Sequence, residues 1–172
     1  MAHMMAQANK KVSRHGHGQV GAPRGRQYSA TIDDGLLSGF IHHPSTFPLN
    51  CKRLWFDRDI NYSAENKQTI GLCFRSEKYL KPGIKVEISI PLRGEVQNFR
   101  GKVVLVRNMD DHFEIGMWLT PEDVHRARVV EQICHIETYL RTKRHQDGPF
   151  VNDERLAEEW VNKYAAAFPS AG

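Results

Sequence analysis

The stretch "IKVEISIPL" (84–92) alternates strictly, with Ile84, Val86, Ile88 and Ile90 on one face and Lys85, Glu87 and Ser89 on the other. Side chains of a strand point alternately to its two faces, so the pattern predicts a strand buried on one side only. The same period, less strictly kept, covers "NCKRLWF" (50–56), "QTIGLCFRS" (68–76), "FRGKVVLVRN" (99–108) and "HFEIGMWL" (112–119). The segments between them carry turn chemistry: "DRDINYSAEN", the Pro-Gly of "KYLKPG", "RGEVQN" and "MDD". Five or six short strands are joined by short turns, with no helix between them. They predict a small antiparallel barrel or sandwich.

At Thr120 the period changes. The run "TPEDVHRARVVEQICHIETYLRTKRH" opens with Thr120 as N-cap, Pro121 at the first helical position and the acids Glu122 and Asp123. Each suits the positive end of a helix. Val129, Ile133, Ile136 and Leu140 follow at 4-3-4 spacing, and Arg141, Lys143, Arg144 and His145 close the run. The stripe either docks on the strands or seals a dimer, leaving a monomer or a homodimer through the 121–143 helix. After "QDGP" a second helix is predicted from about Asn152 to Phe168, with Leu156, Trp160, Tyr164 and Phe168 at steps of four.

Residues 9–27 hold Lys10, Lys11, Arg14, Arg24, Arg26, His15 and His17, no acid and few aliphatics. Such a segment buries too little to offset chain entropy and is expected to be disordered. Met1–Met4 read as a cloning remnant. The division is therefore a basic tail over 1–39, a β-domain over 40–120 and a helical extension over 121–172. No apolar run approaches the length of a membrane span. Cys51, Cys73 and Cys134 have no paired spacing, which fits reduced thiols in the cytoplasm.

No motif for nucleophilic, phosphate-loop or metalloprotease chemistry occurs, so no catalytic residue is assigned and an enzyme is not expected. His42 and His43 are metal-ligand types, but neighbours in a strand face opposite ways and no Cys or carboxylate lies near them in sequence. No metal and no resident cofactor are assigned. The tail with Trp55, Phe56 and Phe74 offers stacking surfaces for nucleic acid. Mixed charge on the strands and the core-like alternation of these aromatics argue against DNA or RNA.

One order of segments stands out: "HHPS" and "FPL", a first strand, a loop, "NKQTIGLCF", a "KPG" turn, "VEISIPL", "FRGKVVLVRN", "FEIGMWL" and a closing helix. Over roughly residues 40–145 it resembles the PilZ domain family. The runs "ARVVEQICHIETYLR" and "EEWVNKYAAAFP" look like the tail of certain bacterial single-domain members. The resemblance implies a six-stranded antiparallel PilZ-like β-barrel followed by two helices, and a place in cyclic di-GMP signalling. Family members clasp that dinucleotide with Arg-x-x-x-Arg before the first strand and Asp/Asn-x-Ser-x-x-Gly at the entry to the second. Paired guanidinium forks grip phosphates and stack on bases.

Carried over, the second motif falls on Asn66, Gln68 and Gly71, with Gln68 in place of the small Ser. The first falls on Ile41–Ser45, where His42, His43 and Ser45 stand but no arginine does. These six polar and glycine positions, His42, His43, Ser45, Asn66, Gln68 and Gly71, form the expected, degenerate cyclic di-GMP site. Each missing charge-assisted contact removes about 2–3 kcal/mol of binding. The expectation is a receptor or adaptor that regulates an unidentified protein partner with weakened or absent nucleotide binding. The alternatives are a full receptor with substituted contacts, Arg24 and Arg26 folding back from the tail, and a nucleic-acid-binding barrel.

Overall fold

In a computed structural model that describes residues 39–55 and 70–169, six strands form one sheet and two helices follow. The strands are β1 (Phe40–His42), β2 (Asn50–Arg53), β3 (Gly71–Ser76), β4 (Lys85–Leu92), β5 (Glu95–Asn108) and β6 (Phe113–Leu119). Their order in the sheet is β1-β3-β6-β5-β4-β2. The helices are α1 (Val124–Asp147) and α2 (Asp153–Tyr164), the latter running into a 3₁₀ turn at Ala165–Ala167. The described residues fall within one unit spanning Ile32–Gly172. Apart from Gly39, the basic tail over 1–39 lies outside them.

The alternation of "IKVEISIPL" settles β4: Val86, Ile88 and Ile90 are fully buried. With them, Ile41, Leu72, Phe74, Phe99, Val103, Ile115 and Met117 make one core on a single face of the sheet. The opposite face carries a small second cluster in which Phe40 and Cys73 pack with Val104, Leu105 and Trp118.

The purely antiparallel, closed barrel is corrected. β1 runs parallel to β3, with Phe40 opposite Gly71 and His42 opposite Cys73, while every other pairing is antiparallel. β1 and β2 are the two edges of an open, mixed sheet, and no ladder joins them among the described residues. The physical reason is the path of the chain. After β1 the chain forms β2 at the far edge before β3 pairs with β1, and that separation in sequence permits a parallel pair.

Two boundaries also move. The turn expected over "RGEVQN" is only Arg93-Gly94, because both residues take positive φ (52° and 85°) and close the hairpin in two residues. Glu95–Asn98 are therefore strand, paired with Ser89–Leu92. The first helix starts at Val124 rather than just after Thr120, and its N-cap position is Asp123. The Asp123 carboxylate accepts from the backbone N–H of Arg100 (3.2 Å) and from Arg126 (2.7 Å), which ties the helix start to β5. Thr120 is buried instead of capping.

The helix α1 docks on the sheet, but through a different stripe from the one its large aliphatics suggest. Ala127, Val130, Glu131, Cys134 and Thr138 are buried, whereas Val129 is exposed. Ala127, Val130 and Cys134 join the main core, and Ile133 packs against it. Ile136 and Leu140 face α2, around Tyr139, Leu156 and Trp160. The second helix matches its expectation: Asn152 caps it, accepting from the Arg155 N–H at 2.9 Å, and Tyr164 and Phe168 pack at its end.

Candidate functional site

Phe40, Ile41, His42 and His43 alternate across the sheet as a strand must. Ile41 enters the main core, only 1% exposed and opposite Leu72. His42 faces the outer side. Its Nδ1 lies 3.7 Å from Glu114, whose carboxylate is already held by Arg107 at 2.6 Å. Burial holds the His42 pKa below the usual imidazole value, with Glu114 opposing.

His43, just beyond β1, turns inward beneath α1. Its Nδ1 is 2.9 Å from one oxygen of Glu131 and 3.1 Å from the other. Its Nε2 donates to the Phe47 carbonyl at 3.1 Å. The two side chains are 3% and 0% exposed, so His43 is committed on both ring nitrogens to its own chain. A carboxylate this deep is costly unless it is paired and hydrogen-bonded. Among the described residues its partner is His43, with no Lys or Arg paired to it. The adjoining His135 donates to the His42 carbonyl at 2.6 Å, which fixes β1 to the helix a second time. Desolvation lowers the His135 pKa.

Gly71 sits under a ring. A Cβ built there would lie 2.3 Å from two carbons of the Phe40 ring, which in turn stacks on Trp118 at 4.5 Å between centroids. The absent side chain thus makes room for a neighbour within the fold. Ser45 is exposed on the rim of a groove of about 550 Å³ between the end of β3 and the segment that leads into β2. His43, Phe47, Cys51, Phe74 and Lys78 also line it. Arg75, at the same end, is turned onto Asp111 at 2.7 Å. Asn66 and Gln68 lie outside the described residues, as does Phe56. Of the proposed stacking aromatics, Phe74 is core at 2% exposure and Trp55 is exposed at 74%, with Arg53 over its ring at 4.2 Å.

Of the six expected positions, then, His43 and Ser45 share the groove, while His42 and Gly71 belong to the other side of the sheet. The sequence reading missed Glu131 and Cys134 beside His43, and Cys73 and Glu114 beside His42. It had one available signal: Glu131 and Cys134 share a helical face with Ala127 and Thr138. All three thiols are raised by burial, Cys51 to about 11 and Cys73 and Cys134 beyond the ordinary thiol range, so they stay protonated at neutral pH. No described helix is long and apolar enough to cross a membrane.

Comparison of the chain with known protein families, with curated proteins and with solved structures finds no match.

Proposed function

We propose that this chain is a PilZ-like, non-enzymatic module of cyclic di-GMP signalling that regulates a protein partner and binds the nucleotide weakly or not at all. The reading rests on the order of segments, with six strands closed by a helix, and on one observation above the rest. The position where the family carries its first arginine is Ile41, buried in the core opposite Leu72. A guanidinium there would face the core, not a phosphate. His43, the cation-capable side chain of that segment that lines the groove, spends both ring nitrogens on Glu131 and Phe47. The loss of two bidentate contacts at about 2–3 kcal/mol each weakens binding by well over a hundredfold.

A thermal melt of the full chain tests this reading. Ligand that binds only the native state raises the transition, by a stabilisation that grows as RT ln(1 + L/Kd) for free ligand at concentration L. Excess cyclic di-GMP is expected to leave the melting temperature unchanged. A rise of several degrees would favour the full receptor with substituted contacts.

A further inference from the structure

His43, Glu131 and Cys134 place an imidazole nitrogen, a carboxylate oxygen and a thiol sulfur within 4.8 Å of one another. We propose that these three side chains form a binding site for a borderline-soft divalent cation of the zinc class. The proposal goes beyond the signalling role above and does not depend on it.

Four features carry it. The donor set is the N, S and O mixture that such cations take in tetrahedral sites. Glu131 and Cys134 stand three residues apart on α1, so they present their donors on one helical face. The free nitrogen of a metal-ligating histidine is normally oriented by a carbonyl or carboxylate, and Nε2 of His43 already donates to the Phe47 carbonyl while Nδ1 faces the cluster. The charges also balance: once the Cys134 thiol and the Nδ1 of His43 give up their protons to solvent on binding, a carboxylate, a thiolate and a neutral imidazole sum to minus two, so the loaded cluster is neutral where a lone buried charge would be costly.

Donors around a zinc-sized ion lie roughly 3.5 Å apart, given bonds of about 2.0–2.3 Å. The 2.9 Å between His43 and Glu131 has therefore to open slightly, within a cluster whose donors all lie inside 4.8 Å. His43 lines the groove beside Ser45, so one ligand of the cluster borders solvent-accessible space.

The outer cluster of His42, Cys73 and Glu114 has the same donor types. It is the poorer site, because the Arg107 guanidinium occupies Glu114 and repels a cation. Glu131 has no such competitor among the described residues.

Titration of the full chain with Co²⁺ tests the site, because a thiolate on cobalt gives a near-ultraviolet charge-transfer band that histidines of the tail cannot produce. The band is expected to saturate at one cobalt per chain and to disappear on addition of zinc. The variant Cys51→Ser/Cys73→Ser, which leaves Cys134 as the only thiol, is expected to keep the band at full strength. Absence of the band in the unmodified chain overturns the proposal. So does its loss in that double variant when circular dichroism shows the fold intact. Should the double variant unfold, Cys73→Ser alone decides, since loss of the band there assigns the metal to the outer cluster.

Discussion

Replacing Gly71 by alanine drives a methyl group into the ring of Phe40. The new Cβ would sit 2.3 Å from two ring carbons, more than 1 Å inside ordinary contact. The ring cannot swing away freely, since it is 3% exposed and stacked on Trp118. Overpacking of this kind costs about 1–3 kcal/mol. Against it stands about 0.4–1 kcal/mol gained from a stiffer unfolded chain. The net expectation is a loss of about 1–2 kcal/mol, or a fall of roughly 0.5–1 M in the urea midpoint for a slope near 2 kcal/mol/M.

The background decides the cause. Phe40→Ala alone should cost about 3–5 kcal/mol. In that background, Gly71→Ala should become neutral or slightly stabilising, because its obstacle is gone. The coupling energy is read from the four urea curves of the cycle. An equal loss in both backgrounds would refute the reasoning and return Gly71 to a role in ligand approach.

Glu131→Gln should destabilise the chain by about 3 kcal/mol in urea unfolding, as removing one member of a buried pair does, while His43→Leu/Glu131→Leu should cost less than the two single changes added. Glu87 bridges strands, meeting Lys52 of β2 at 2.6 Å and Arg100 of β5 at 3.0 Å, and the hydrogen bond from Lys52, then that from Arg100, lowers its pKa. Its folded value lies below its unfolded value of 4.5, so its contribution is present above that pH and is lost as pH falls through the folded value. Glu87→Gln should therefore flatten the acid limb of a stability-against-pH curve below about 4.5 without changing its shape near neutrality. The Cys51 thiol, pushed up to about 11, should react with iodoacetamide at pH 8 on the order of tenfold to a hundredfold more slowly than a free cysteine, read by peptide mass spectrometry.

The strands were legible where one face of the sheet is apolar and the other polar, and β4 shows that period with no exception among Val86, Ile88 and Ile90. β1 was not legible. Three residues, Phe-Ile-His, are too short to establish a period, and its parallel partner is set by a crossover that no local pattern encodes. The docking stripe of α1 was legible only in part: Ile133 packs against the main core and Ile136 and Leu140 against α2, but Val129 is exposed and the buried face is made by Ala127, Val130, Glu131 and Cys134. The candidate site shows the same limit. That His42 and His43 face opposite ways follows from strand geometry, and the structure agrees. That each meets a carboxylate and a cysteine is a fact of tertiary structure, since the partners of His43 come from α1 and those of His42 from β3 and β6.

The most direct test of the proposed function is a calorimetric titration of the full, metal-defined chain with cyclic di-GMP. With Ile41 in the core and His43 held by Glu131, no saturable heat is expected in the low-micromolar range. A stoichiometric isotherm with a low-micromolar Kd would contradict the account.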